Sequence, residues 1–334
     1  MKRHKICKII FAILAVFLCV AFYELIGICI TYKKQPAVSD ATIKETQNIM
    51  SVAGRENTER AVIIEKNSQA LLERVRLIQN AKDEIILSTF AFKSDESGKL
   101  ILGALHDAAD RGVHVRILVD GMESWIDMEG NPYFYGLSSH ENVEIKLYNK
   151  ANPLKPWKTM GRMHDKYLIA DGKIYILGGR NTYNYFLGDF PGHKNFDRDV
   201  LVVCDEPQKD NSVNQLWNYF ETIWEQEDCR YFHNSKKLAD RQSVKNAVLE
   251  LQEGYQQYFE VNKEKICDTD YADETFETEK ITLLSNPIHT QAKEPVVWYQ
   301  LGELMKNAKE RVKIHTPYIC LLYTSDAADD MQCV

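Results

Sequence analysis

A segment that occurs twice constrains the fold of this chain more than any other feature. Leu77 to Thr89 is matched by Leu304 to Thr316, with Asn80 aligned on Asn307 at an offset of 227 residues. In the first copy Leu71, Leu72, Val75 and Ile78 form a helical stripe over 70–80, and a strand pattern follows over 84–92. A chain that repeats a helix-to-strand unit is expected to build α/β layers.

The pattern continues after the first copy. Residues 100–110 read as a second helix stopped by Arg111-Gly112, 113–120 as a second strand, and 143–148 as a third. Strands separated by helices predict parallel pairing. Residues 211–227 read as a helix whose Val213, Trp217, Phe220 and Trp224 face a core. A long amphipathic stretch over 237–263 and an acidic one over 267–279 follow.

Between the third strand and that aromatic helix lies the stretch with chemical content, Arg162-Met163-His164-Asp165-Lys166. In an extended segment alternate side chains share a face, so Arg162, His164 and Lys166 are expected to point together, an arrangement that calls for an anion. Asp171-Gly172 separates two short apolar runs and predicts a tight hairpin turn. Gly178 and Gly179 then allow close backbone approach, and Asn181 adds an amide. Imidazole, ammonium and amide together suit phosphoryl transfer: the histidine attacks phosphorus while the cation stabilises the phosphate oxygens. Arg198-Asp199 opens a later strand, and Asp199 is expected to accept a proton from the histidine's second nitrogen and fix its tautomer. Asp197 and Asp205 are weaker alternatives.

At the amino end, Lys2, Arg3, Lys5 and Lys8 precede an apolar run over 9–32 that is long enough to cross a bilayer. These basic residues outnumber Lys33 and Lys34, so a signal anchor is expected, with a cytoplasmic tip and the body on the extracytoplasmic side of the cell membrane. A cleaved signal peptide is the alternative. The net charge of -7 gives no general case for nucleic acid. Eight cysteines show no metal-ligand spacing and read as isolated thiols, with disulfides outside the membrane left open.

These residues carry a family likeness. His164, Lys166 and Asp171, completed by Gly178, Gly179 and Asn181, resemble the histidine-lysine-aspartate motif of the phospholipase D superfamily. With Arg162, Arg180, Tyr185-Phe186, Arg198-Asp199, Phe220 and Trp224, the chain is most similar to bacterial cardiolipin synthases and related phosphatidyltransferases over 67–319. The resemblance implies a mixed sheet flanked by helices, with the first repeat complete and the second only begun. It implies attack by His164 on a phosphatidyl phosphorus, giving a phosphohistidine, with Lys166 and Asn181 on the phosphate oxygens. A second histidine would protonate the leaving alcohol and then activate the acceptor. No metal or other cofactor is implied. The expected partners are membrane phospholipid and the bilayer, with no obligate protein partner and nucleic acid disfavoured. Asp171 is expected to tie the turn, and Arg180 and Tyr185 to pack.

By the repeat offset, a second histidine strand falls near position 391, beyond residue 334. The chain is therefore expected to hold half of a two-walled site and to be inactive as it stands. The expected organisation is 1–34 tip and anchor, 35–60 polar stalk, 61–235 first repeat, 236–280 linker, 281–319 start of a second repeat, and 320–334 a tail resembling translated adapter sequence. A nuclease or phosphodiesterase acting on nucleic acid, and a catalytically dead binding module, are the competing functions.

Overall fold

The computed structural model describes residues 2–51, 59–233, 235–314 and 316. The described residues fall into two compact units, one drawn from 2–48, 151–162 and 284–316 and one from 49–150 and 163–283. The expected tail over 320–334 lies outside the described residues.

In chain order the elements are α1 (Lys2–Tyr32), α2 (Asp40–Ser51), β1 (Glu59–Ile64), α3 (Asn67–Asn80), β2 (Glu84–Thr89), α4 (Glu96–Asp110) and β3 (His114–Asp120). Next come α5 (Glu123–Asp127), α6 (Pro132–Ser138), β4 (Val143–Tyr148), β5 (Tyr167–Ala170), β6 (Ile174–Gly178), β7 (Asp199–Cys204) and α7 (Ser212–Trp224). The last are β8 (Cys229–Tyr231), α8 (Lys236–Ala239), α9 (Gln242–Ile266), β9 (Phe276–Glu277) and α10 (Val296–Asn307).

All the strands belong to the second unit and form one nine-stranded mixed sheet, ordered β8-β4-β3-β2-β5-β6-β7-β1-β9. β2, β3 and β4 pair in parallel, as their intervening helices require, and the other pairs are antiparallel. Alternation along the strands separates two faces. One presents Ile85, Leu87, Val115, Ile117, Val143 and Ile145 to the main apolar core, which α3 and α4 share. The other presents Glu84, Arg116 and Lys146 to α7. There Trp217, Phe220 and Trp224 pack around the Arg116 guanidinium, with ring centroids 6.0, 4.9 and 5.8 Å away. The aromatic face expected to be core thus packs partly around a cation, itself paired with Glu84 and Glu221.

Three segments differ from their expected roles. Residues 40–51 of the expected stalk are helical, and 59–60 begin β1, which pairs with β7. The expected linker over 236–280 is integral to the sheet unit, because α9 buries Val244, Ala247, Leu251 and Tyr255 and β9 extends the sheet edge. In the repeated segment, α3 and α10 end at the aligned Asn80 and Asn307, but residues 311–314 are not a strand. The first unit, to which they belong, has no described strand to satisfy another strand's backbone groups.

In that first unit, α1 contains one stretch, Ile6–Tyr32, long and apolar enough to cross a membrane, with a mean hydropathy of 2.7. Tyr32 donates to the Thr290 carbonyl at 3.1 Å within the same unit.

α4 and α9 approach closely at Gly103, where an added Cβ would lie 2.6 Å from the Leu251 carbonyl oxygen and 2.8 Å from Tyr255 Cβ. Gly103→Ala is therefore expected to destabilise the sheet unit. A strain of roughly 1–3 kcal/mol outweighs the gain of about 1 kcal/mol in helix propensity. Chemical unfolding of the wild-type and variant chains in detergent checks the sign.

Candidate functional site

The histidine segment meets the sheet where β2 and β3 end. Met163 is buried, and its amide donates to Asp120 Oδ2 at 3.2 Å, fixing the chain to the end of β3. Asp120 Oδ1 also accepts from the Met122 and Glu123 amides at 3.0 and 3.2 Å, so one carboxylate ties two loops. His164 follows Met163 and is exposed at the rim. Residues 162–166 are not strand, because β5 begins only at Tyr167, so the histidine precedes its strand.

Lys166 curls back on the histidine. Its Nζ donates to the His164 carbonyl at 2.6 Å, and Lys166 is buried, with only 7% of its surface exposed. The Phe90 ring touches both residues: its centroid lies 4.6 Å from that of the imidazole at an interplanar angle of 71°, and 5.6 Å from the Lys166 ammonium. Desolvation by the surrounding protein, reinforced by the Lys166 charge, lowers the His164 pKa from 6.5 to about 4. At neutral pH the ring is uncharged and carries a nucleophilic lone pair.

Asn181 is placed by a buried ion cluster. Asp199 Oδ2 pairs with Arg74 at 2.9 Å and with Arg180 at 3.3 Å, and all three side chains are at most 5% exposed. Arg180 also donates to Asn67 Oδ1 at 3.1 Å, to the Ile64 and Glu65 carbonyls at 3.3 and 2.7 Å, and to the Asp197 carbonyl. The next residue, Asn181, accepts from the Ala91 amide through Oδ1 at 3.1 Å. That bond fixes the side-chain amide so that Nδ2, a donor with no partner among the described residues, remains for an anion.

Several expected roles change. Asp199, expected to orient His164, gives its Oδ2 to two buried arginines; its Oδ1 has no hydrogen-bond partner among the described residues, and no described contact joins it to His164. Gly178 and Gly179 permit a close approach within their own chain: a Cβ on Gly178 would strike Asp199, and one on Gly179 would strike Asp197. Asp171 sits at the far end of β5 from His164, in the left-handed region at φ 52°, beside Gly172 at 60°. Its carboxylate accepts from the Lys82, Asp83 and Glu84 amides at 2.8–3.2 Å, so it joins the hairpin to the α3–β2 turn. The Asp171-Gly172 hairpin forms as expected. Arg162 falls in the other compact unit.

The residue that sequence reasoning missed is Phe90. It reads as one more apolar position in a strand, although β2 ends at Thr89 and leaves Phe90 at the sheet's rim. A cavity of about 420 Å³ lies along α4, α6 and α9, lined by His106, His140, Val244 and Val248 among others, but none of the motif residues lines it.

The histidine segment lies within the part of the chain that is similar to known proteins. Residues 75–224 match the family described as "Cardiolipin synthase, PLD-like domain". The matched segment runs from within α3, through β2 to β7, to the end of α7, and so contains the whole histidine-lysine stretch and the glycine turn. An uncharacterized protein of Helicobacter pylori is 33% identical over 181 residues, which cover 50% of this chain and 35% of that one. Cardiolipin synthase C of Escherichia coli is 29% identical over 154 residues, 42% of this chain and 31% of that one. The match thus spans about a third of these curated relatives. Among solved structures, NucT from Helicobacter pylori aligns at a TM-score of 0.40 and 17% identity, covering 52% of this chain and 99% of that one.

Three outcomes follow from the geometry. The unfolded chain binds the His164 proton near the ordinary value of 6.5, and the folded chain only near 4. The stability this group contributes is therefore present above pH 6.5 and lost as the pH falls toward 4. Lys166→Met removes the like charge and is expected to raise the pKa while leaving it below 6.5, since desolvation is the larger cause; histidine-resolved NMR titration measures this. Asp199→Asn leaves two buried guanidinium groups without their carboxylate and is expected to cost about 3 kcal/mol or more in denaturant unfolding.

Proposed function

We propose that this chain carries the nucleophile wall of a phospholipase D-type site that transfers or hydrolyses the phosphatidyl group of membrane phospholipids. The observation that carries this reading is a neutral His164 imidazole held beside the Lys166 ammonium. The donor face of Asn181 on the neighbouring turn adds to it.

In the proposed reaction a ring nitrogen of His164 attacks phosphorus as the bond to the leaving oxygen breaks. The product is a phosphohistidine and an alkoxide that must take a proton. Lys166 and the Asn181 Nδ2 hydrogens stabilise the phosphate oxygens as charge builds on them. In the second half-reaction an acceptor alcohol or water loses its proton and attacks phosphorus. The phosphorus–nitrogen bond breaks, and free imidazole returns. None of the described residues supplies a second histidine beside His164, so the group that protonates the leaving oxygen is proposed to come from a second histidine-lysine segment.

A phospholipid substrate is favoured over nucleic acid by two facts. α1 is apolar enough to hold the chain at a membrane, and the net charge of -7 offers no broad attraction for a polyanion. The excess of basic residues before the span supports a cytoplasmic amino end and an extracytoplasmic body.

The test uses the protein expressed from its whole gene and reconstituted in vesicles containing phosphatidylglycerol. His164→Ala is expected to reduce lipid turnover by roughly 10⁴-fold or more, and acid-sensitive phosphate on the wild-type chain should disappear with it. Undiminished turnover in the variant would end this mechanism. Cleavage of single-stranded DNA with no lipid turnover would favour the nuclease reading, and neither activity in the wild type would favour the binding module.

A further inference from the structure

We propose that Phe90 is the positioning residue of the nucleophile: its ring sets the orientation of the His164 imidazole and seats the Lys166 ammonium beside it. The inference deepens the phosphoryl-transfer reading, but its structural part can be tested without turnover.

A positioning residue must itself be held, and the segment around Phe90 is held from several directions. The Ala91 amide donates to Asn181 Oδ1 at 3.1 Å, and the Ala91 carbonyl accepts from the Thr182 amide at 3.1 Å and from Thr89 Oγ1 at 3.0 Å. The Lys93 amide donates to the Thr182 carbonyl at 3.2 Å, and Phe92 forms a parallel bridge with Thr182. Phe92 is buried and meets the Phe134 ring edge-on, with centroids 5.1 Å apart. Phe90 therefore projects from backbone that is fixed on both sides.

What the ring does follows from its two contacts. An edge-to-face contact at 4.6 Å and 71° restricts rotation of the imidazole about its side-chain bonds, so the attacking nitrogen keeps one direction. The ammonium at 5.6 Å is within the range where the negative face of the ring attracts a cation, which helps to keep Lys166 beside the histidine. The ring also excludes water from one side of the imidazole.

The charged groups on the surrounding elements are compatible with this role. Lys166, on the histidine's own segment, opposes its protonation. Asp165 accepts from Tyr219 of α7 at 2.8 Å. Asp120, at the end of β3, is engaged by the Met163, Met122 and Glu123 amides.

The experiment is a pH titration of the full chain, labelled with nitrogen-15 at histidine and held in detergent micelles, with the His164 signal assigned by its loss in His164→Gln. In Phe90→Ala, water reaches the freed ring, and the proton affinity of His164 is expected to rise about tenfold. Phe90→Tyr keeps the ring and should stay within about twofold of wild type. Unmoved His106 and His140 signals show that the fold is retained. If Phe90→Ala loses the fold, Phe90→Leu is read instead and should show a smaller rise in the same direction. A folded Ala or Leu variant with unchanged affinity overturns the inference. In the whole-gene protein, Phe90→Ala should lower kcat roughly 10-fold or more with KM nearly unchanged, because orientation and not substrate contact is lost. A rise in KM alone would overturn the positioning role. If His164→Ala keeps full turnover, the functional reading fails while the titration still decides the place of Phe90.

Discussion

The site depends on one buried carboxylate. Asp199 holds Arg74 and Arg180, and Arg180 gathers the Ile64, Glu65 and Asp197 carbonyls around the turn that ends β6. That turn fixes Asn181, Asn181 fixes Ala91, and the segment through Ala91 presents Phe90 to the histidine. Ions this deeply buried are tolerated only when paired and hydrogen-bonded, so the network either forms as a whole or leaves an unpaired charge inside the protein. Through this chain of contacts, the geometry at the exposed rim is set by an interaction buried behind it.

The same arrangement accounts for the chemistry at the rim. A histidine with a bonded carboxylate would be protonated more readily, whereas His164 faces an aromatic ring and an ammonium. Both keep it neutral, and a neutral ring can attack phosphorus. The acids near it are used for structure: Asp120 ties loops, Asp165 holds Tyr219, and Asp171 joins the hairpin to the α3–β2 turn. The cationic character that a phosphate requires is thereby kept at the site itself.

Much of this was legible in the sequence. The parallel core β2-β3-β4 was readable because each strand follows a helix with a clear apolar stripe, and the hairpin because Asp171-Gly172 can adopt positive φ. β1 was not readable, since its partner β7 lies over a hundred residues away and nothing local marks that pairing. α9 looked like a linker because its apolar residues are spread over 25 positions and acquire a function only against α4 and α6. The repeat was visible in both copies, but only the first forms its strand, because a strand needs a neighbour and a helix does not.

The sequence by itself determined the inventory of the site: a histidine, a lysine two positions on, and a glycine turn followed by an asparagine. Residue type and spacing along one strand-and-turn segment are local properties, and they limit the chemistry to phosphate. Tertiary structure alone decided what each remaining group does. It gave Asp199 Oδ2 to two arginines, set the glycines against Asp197 and Asp199, and brought Phe90, just past the end of β2, against His164. Those assignments depend on which buried charges find partners and which backbones cross closely, and contacts between distant segments exist only once the sheet has closed.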